Sequence, residues 1–186
     1  MPEKFFANEG DLMKKFFLMM IAMFALSSTC LAATPVRVSD YNLNDFFHTY
    51  NNVAVNVTKN NWAFGEFPME AIKSGIYDSY LAACGPYGHG VAVGLFANKQ
   101  GHISKITLSF NGSDKTTCEC SAGVFVNVLA TLRMSLQEIG NLIQELESKK
   151  RYAHYFCSAT NRYIVVEVSE DRAHDLINIR ITATVN

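Results

Sequence analysis

Four cysteines, Cys84, Cys118, Cys120 and Cys157, have the clearest chemistry in this chain, because thiols either bind metals or form disulfides. They are the four that remain when a predicted secretory leader, residues 13–32, is removed together with the fifth cysteine, Cys30. An even number of cysteines in an exported protein predicts two disulfides. Residues two apart in an extended segment stand too far apart for a relaxed bridge, so Cys118 and Cys120 are not expected to bond each other. We therefore expect Cys84 and Cys157 each to pair with one of these two. The alternative is a metal site, since Cys-x-Cys also occurs in metal clusters.

The histidines do not form a recognisable catalytic or metal-binding motif. They are scattered, without a His-x-His pair, an HExxH helix or a carboxylate at ligand spacing. The set consists of His48, His89, His102, His154 and His174. His174 precedes Asp175 in a predicted turn, where two such neighbours are expected to solvate the turn rather than act as a dyad. We therefore predict no metal, no cofactor and no enzyme activity. An enzyme remains open only through residues that the fold brings together.

The most unusual local sequence is the segment 84–90, which contains three glycines and one proline. One interpretation is a long hairpin loop whose glycines and proline only set the turn. The other is a recognition loop, stiffened at one root by a disulfide, from which Pro86, Tyr87 and His89 contact a partner. Trp62, the single tryptophan, would extend that binding surface.

Residues 13–32 have the order of a secretory signal peptide: a basic pair, an apolar run, and a small-residue stretch that ends at Ala32. Residues 1–12 carry acidic side chains that such a leader lacks, so we expect translation to start at Met13 and residues 1–12 to be untranslated or disordered. Cleavage after Ala32 would export the protein, most simply to the periplasm and otherwise to the medium. Lipid attachment at Cys30 is the alternative. The apolar run is shorter than the roughly 20 residues that span a bilayer.

The remaining residues, 33–186, number 154, which is a length typical of one domain. The net charge is −1 for the whole chain, and it stays −1 without residues 1–32, which hold as many acidic as basic side chains. The largest basic cluster is 149–151, which we expect at a helix C-terminus. A nucleic-acid partner needs a wider basic face, so the sequence argues against one.

Two apolar spacings along 33–186 predict helices and strands in turn. Three-and-four spacing predicts a helix that begins at Ser39 and buries a face ending at Val57, a second around 124–132, and a third that opens at Ser135. The third starts with a capping box to Glu138, and its apolar stripe begins at Leu136. The strands are expected at 76–83, 91–97, 103–110, 152–158, 163–168 and 176–185.

The short, turn-like connections between these strands indicate antiparallel neighbours. We therefore predict an α+β fold in the order α-βββ-α(α)-βββ, with an antiparallel sheet and helices packed on one of its faces. The order reads as two copies of one helix-plus-meander unit. The other face of the sheet would be left open to water or to a partner.

Three functional classes fit this sequence. The first is an exported binding protein, an inhibitor or immunity-type protein that blocks a toxin or hydrolase by protein–protein contact. The second is a periplasmic carrier of a lipid or another apolar ligand, which needs a cavity larger than a packed core leaves. The third is an enzyme with a spatially assembled site.

Overall fold

Seven antiparallel strands form one sheet in the computed structural model, which describes residues 36–60, 62, 70–74, 77–84, 90–98, 100–149 and 151–185, the segments 70–74 and 77–84 by backbone alone. The sheet order is β1-β2-β3-β4-β7-β6-β5. The strands are β1 Glu70–Ser74, β2 Tyr77–Cys84, β3 Val91–Ala97, β4 Ile103–Asn111, β5 Tyr152–Cys157, β6 Arg162–Asp171 and β7 Leu176–Thr184. The predicted start site, signal peptide and Cys30 lie outside the described residues.

Side chains alternate between the two faces of the sheet, as the period of a strand requires. In β3 the buried residues are Val91, Val93, Leu95 and Ala97, and the residues between them are partly exposed. Ile179, Ile181 and Ala183 bury the matching face of β7. These side chains share one hydrophobic core with three helices, so the helices cover a single face. The predicted α+β fold is confirmed.

The two meanders of the sheet meet through their last strands. β1 to β4 follow one another as antiparallel neighbours, β5 to β7 do the same, and β4 then pairs with β7. This symmetry of order fits the expected repeat of a helix-plus-meander unit. Residues 70–74, for which the sequence predicts no strand, form the additional strand β1. No helix in the described segments has the length and apolar character needed to span a bilayer.

The first helix, α1 (Leu43–Asn52), begins later than the sequence predicts and ends in a π turn, Val53–Val57. Asn42 is its N-cap and accepts a hydrogen bond from the Asp45 N–H, 3.0 Å away. Ser39, the predicted cap, instead accepts from the N–H of Tyr41. In the π turn, the Thr58 N–H donates a hydrogen bond to the carbonyl of Val53, five residues earlier in the chain. This wider turn rotates the helix face, so Val57 is 52% exposed and not buried as expected.

The second helix, α2 (Lys115–Thr131), begins well before the predicted 124–132. Asp114 caps it by accepting hydrogen bonds from the Thr116 and Thr117 N–H groups. The segment from Cys118 to Cys120 is therefore helical, and the assumption that it is extended is wrong. α2 is buried along most of its length, with Val124, Phe125, Val128 and Leu129 among its core residues.

The third helix, α3 (Leu136–Lys149), starts at the predicted capping box. The Ser135 N–H donates to Glu138 at 2.7 Å, and the Glu138 N–H donates to the Ser135 hydroxyl at 3.2 Å. Ile139 and Leu142 are buried, whereas Leu136 is 60% exposed because it lies outside the stripe that meets the sheet. The other Glu138 oxygen accepts the Ser158 N–H at 2.9 Å, which ties α3 to the β5–β6 hairpin.

We expect acid to weaken the contact between Glu138 of α3 and the β5–β6 hairpin. Burial favours the neutral acid, but the hydrogen bonds from Ser158 and Ser135 outweigh it and lower the pKa of Glu138 to about 2. A depressed folded-state pKa contributes stability that is present above the unfolded value, near 4.5, and is lost as pH falls toward 2. We expect Glu138→Gln to be less stable than the wild type at pH 7, with the difference shrinking between pH 5 and pH 2. Urea unfolding at a series of pH values measures this, and a constant difference would contradict it.

Candidate functional site on the open face of the sheet

The sheet face opposite the helices carries the candidate site, and we call it the open face. It holds the outward residues of β3 to β7. On β5 and β6 these are Tyr152, His154, Phe156, Tyr163, Val165 and Glu167. On β7, β4 and β3 they are Asn178, Arg180, Thr182, Lys105, Thr107, Ser109, Ala92, Gly94 and Phe96. The first group is dominated by rings, and the second by charged and hydrogen-bonding side chains.

Four rings on β5 and β6 form a continuous surface, the aromatic patch, made of Tyr152, His154, Phe156 and Tyr163. The His154 ring lies between the two tyrosines, with centroids 6.1 Å from Tyr152 and 5.6 Å from Tyr163. Phe156 meets Tyr163 edge-on at 5.3 Å. Tyr152 is 44% exposed and Phe156 39%. Rings held by strand neighbours and left open to solvent can contact a partner with little loss of conformational entropy.

A carboxylate of α3 lies beside the aromatic patch at β5, the edge strand of the sheet. The Glu145 carboxylate is 3.6 Å from His154 Nδ1. Its hydrogen bond with Lys149, at 2.5 Å, together with the His154 contact, keeps the pKa of Glu145 below its usual range despite burial. The carboxylate of α3 and the aromatic patch therefore meet at His154.

Charged groups lie beside the aromatic patch, toward the middle of the open face. Arg180 pairs with Glu167, directly opposite it across β6 and β7. Lys105 places its ammonium 3.6 Å from the centre of the Phe96 ring. Partial burial, and then the nearby charge of Arg180, lower the pKa of Lys105. These groups give the aromatic patch a polar border, the usual arrangement at a protein interface.

Trp62, a predicted binding residue, lies on the helix side of the molecule. Thr58 and Asn60, which precede it, are held there by Asn127 of α2, which is fully buried. Asn127 Oδ1 accepts from the Thr58 hydroxyl at 2.6 Å and from Asn60 Nδ2 at 2.8 Å. Asn127 Nδ2 donates to Asn60 Oδ1 at 2.8 Å and to the Tyr50 hydroxyl at 3.3 Å. The Tyr50 hydroxyl in turn donates to the Trp62 carbonyl at 2.8 Å.

The indole of Trp62 lies against a glycine of α2. A Cβ added at Gly123 would stand 2.3 Å from Trp62 Cδ1 and 2.7 Å from Nε1. Real Cβ atoms do not approach other atoms so closely. The indole can therefore occupy this position only because residue 123 is a glycine. Trp62 is half-buried and packs against the core. The structure therefore gives Trp62 a packing role on the helix layer, away from the open face.

The three cysteines whose side chains are described are not arranged as the sequence predicts. Cys118, Cys120 and Cys157 are not joined to one another by disulfides. Cys157 Sγ lies 3.8 Å from the carbonyl of Leu132, at the end of α2, whereas Cys118 and Cys120 lie in its first turns. The helical rise puts Cys120 about 18 Å, and Cys118 about 21 Å, from Leu132. A disulfide needs Cα atoms within about 7 Å, so the expected bond from Cys157 to either residue does not fit this fold.

The histidine turn is also resolved. His174 Nδ1 lies 2.8 Å from Asp171 Oδ2, and both side chains are exposed. Its partner is thus Asp171 and not the neighbouring Asp175, which supports a turn-stabilising contact. Within the described ranges, no three histidine, cysteine, aspartate or glutamate side chains are placed to hold a metal.

The predicted loop residues Pro86, Tyr87 and His89 lie outside the described residues, so their role stays a prediction. The residues of the aromatic patch were not among the predicted contacts. Their signal was present in the alternation of rings at positions 152, 154 and 156. No family model matches this chain, and no similar protein was found among the curated proteins or the solved structures.

Proposed function

We propose that this protein is an exported inhibitor or immunity-type protein that blocks a toxin or hydrolase through the open face of its sheet. The observation that carries the proposal is the aromatic patch. Tyrosine and other rings are enriched among the residues that dominate binding energy at interfaces, and here four of them adjoin one another on a rigid sheet. The leader pattern at 13–32 supports export.

The border of the aromatic patch supports a protein partner over an apolar small ligand. The Arg180–Glu167 pair lies beside the rings, since Glu167 is the register partner of Tyr152. The Ser109–Asn178 hydrogen bond, at 2.6 Å, adds satisfied polar groups farther along the open face. A protein surface can match such a mixed face, whereas a carrier encloses an apolar ligand. In the described part of the chain, the space between sheet and helices is filled by buried side chains such as Leu95, Ile106 and Leu129.

The partner can be captured by cross-linking from the aromatic patch. Residues 33–186 carrying a photo-reactive amino acid at Tyr152 would be exposed to the extracellular and periplasmic proteins of the producing cell. The captured protein would then be purified and titrated with the unlabelled domain by calorimetry. We expect Tyr152→Ala and Phe156→Ala each to weaken binding at least about tenfold, as loss of an aromatic anchor does. The partner's toxic or hydrolytic activity should fall when the wild-type domain binds.

Val55→Ser is the matched control, because Val55 is an exposed apolar residue, 61% accessible, on the π turn. It should bind like the wild type. All variants must first show the thermal midpoint of a folded domain. Equal affinity of the patch variants and the control would contradict the proposal. Native mass spectrometry of the purified domain would instead favour the carrier if an apolar molecule stayed bound.

A further inference from the structure

A single asparagine in this chain is followed by glycine, and it lies at the exposed end of β4. Asn111 is the last residue of that strand and stands opposite Leu176 of β7. Gly112 follows it in the turn that leads to α2. A Cβ added at Gly112 would stand 2.7 Å from Ile177 Cδ1, so a larger residue here would displace Ile177. The backbone nitrogen of Gly112 therefore adjoins Asn111 with no side chain of its own residue to shield it.

The side-chain oxygen of Asn111 accepts two hydrogen bonds from one residue. The Ser113 N–H donates to Asn111 Oδ1 at 2.9 Å, and the Ser113 hydroxyl donates to the same oxygen at 2.7 Å. A backbone N–H is always a donor, so this contact identifies the carboxamide atom as oxygen. Donors on a carbonyl oxygen stabilise the negative charge that it acquires when a nucleophile adds to its carbon. The arrangement thus activates the Asn111 carboxamide toward addition.

We propose that Asn111 deamidates spontaneously in the folded protein, and that the Ser113 hydroxyl accelerates this reaction. The nucleophile is the backbone nitrogen of Gly112, which the chain itself holds next to the carboxamide. Water has access, because Asn111 and Ser113 are both exposed. The proposal does not depend on the function of the open face.

The reaction has two steps and needs only water as a co-reactant. The Gly112 nitrogen gives its proton to a base in solvent and attacks Asn111 Cγ, so an N–C bond forms and the carbonyl electron pair moves to Oδ1. The pair then returns, the bond from Cγ to Nδ2 breaks, and Nδ2 takes up a proton and leaves as ammonia. The product is a five-membered succinimide ring. Water opens this ring at either of its carbonyl carbons, which gives aspartate or isoaspartate without any oxidation or reduction.

One hydrogen bond opposes the reaction. The Gly112 N–H donates to the Asp175 carbonyl at 2.9 Å, and this bond is lost when the nitrogen gives up its proton. Hydrogen bonds to a charged atom are about twice as strong as neutral ones, so both Ser113 bonds strengthen as Oδ1 becomes negative. Two bonds that strengthen outweigh one that is lost, so the fold favours the reaction.

The product should destabilise this end of the sheet. Isoaspartate adds a carbon to the main chain between residues 111 and 112, which displaces the Gly112 N–H from the Asp175 carbonyl. Gly112 also lines a cavity together with the carboxylates of Glu170, Asp171 and Asp175, so the new negative charge lies near like charges. We expect protein that contains isoaspartate to unfold at a lower temperature than fresh protein.

Peptide mapping of aged protein tests the site. Residues 33–186 would be kept folded at neutral pH for several weeks and then digested with trypsin. Peptide 106–115 contains Asn111 as its single asparagine, and peptide 74–99 contains Asn98 as its own. We expect peptide 106–115 to show the mass of the acid in place of the amide, and an isoaspartyl methyltransferase to methylate it.

Asn98 is the internal control in the same digest. Its Oδ1 also accepts two backbone N–H groups, those of Gln100 at 3.0 Å and His102 at 2.9 Å. The residue after it is lysine, whose side chain hinders attack by the backbone nitrogen. Peptide 74–99 should therefore keep its amide, and equal conversion of the two peptides would overturn the assignment to Asn111.

Two variants of Ser113 test the role of its hydroxyl. Ser113→Ala should slow conversion in the folded protein by about fivefold, and Ser113→Thr, which keeps a hydroxyl, should restore it. The thermal midpoint of each variant shows that it is folded. In urea all three proteins should react at the same rate, because the hydroxyl is no longer held on Oδ1. The proposal is overturned if folded wild type stays intact while the urea-unfolded chain reacts, or if folded Ser113→Ala reacts as fast as the wild type.

Discussion

Replacing Asn127 with alanine should lower the free energy of unfolding by about 3 kcal/mol, because its side chain makes four hydrogen bonds in a fully buried site. Each buried hydrogen bond contributes about 1 kcal/mol, and the truncation leaves polar atoms of Asn60 and Thr58 with fewer partners. For a domain of this size the thermal midpoint should fall by about 6–12 °C. Denaturant titration at pH 7 measures the loss directly.

The fluorescence of Trp62 reports whether the loss of stability is accompanied by a local change around the indole. Trp62 is the single tryptophan, and Asn127 holds its segment through Asn60 and Tyr50. Emission of the folded Asn127→Ala protein should shift to the red as the indole gains water.

Asn141→Ala is the control, since it also replaces a helical asparagine. Asn141 donates one hydrogen bond to the Tyr155 hydroxyl at a partly buried site. The substitution should therefore lower the free energy of unfolding by about 1 kcal/mol or less and leave the Trp62 emission unchanged. Equal costs at the two positions would show that the Asn127 network does not hold the segment.

Local sequence signals were sufficient where neighbouring residues alone determine the structure. The strand Val91–Ala97 has the predicted bounds because a short, almost wholly apolar run is flanked there by turn residues. Ser135 and Glu138 likewise hydrogen-bond each other within one turn, so their pattern located the start of α3. These features depend on no distant contact.

The predictions from sequence are wrong where contacts between residues far apart in the chain determine the local structure. Residues 115–123 contain threonines, cysteines and a glycine, which are weak helix formers, so the apolar spacing beyond them set the predicted start of α2. Burial against the sheet and the Asp114 cap extend the helix across them. The exposure of Val57 depends in the same way on the π turn, which apolar spacing does not reveal. Tertiary packing overrides local propensity at these positions.

The sequence did not predict the aromatic patch, for a different reason. The β5 residues from Tyr152 to Cys157 are almost all apolar or aromatic, so their sequence does not say which face is covered. Ala153 and Cys157 are buried, and Tyr152 and Phe156 are exposed, because α3 packs against only one face of β5. The side that faces a partner follows from the position of the helix, which the strand alone does not specify.

Two glycine-to-alanine substitutions should have opposite effects, although both replace a glycine inside a helix. Gly140 of α3 has no atom within 4 Å of an added Cβ, so Gly140→Ala should stabilise the protein by about 0.5–1 kcal/mol through helix propensity. Gly123 of α2 gains the same propensity but must displace the indole of Trp62. Overpacking typically costs 1–3 kcal/mol, and contacts this short belong at the upper end. We expect Gly123→Ala to destabilise by about 2 kcal/mol, measured by denaturant titration.

A double-mutant cycle identifies the cause. In a Trp62→Ala background the clash is absent, so adding Gly123→Ala should stabilise the protein about as much as Gly140→Ala does. The coupling between positions 62 and 123 should therefore reach about 3 kcal/mol, the full cost of the clash, because the gain in helix propensity is present in both backgrounds and cancels. If Gly123→Ala stays destabilising without the indole, the constraint at Gly123 comes from the backbone of α2 rather than from Trp62. If it is stabilising even with the indole present, the ring moves aside at little cost, and Trp62 is not fixed on α2.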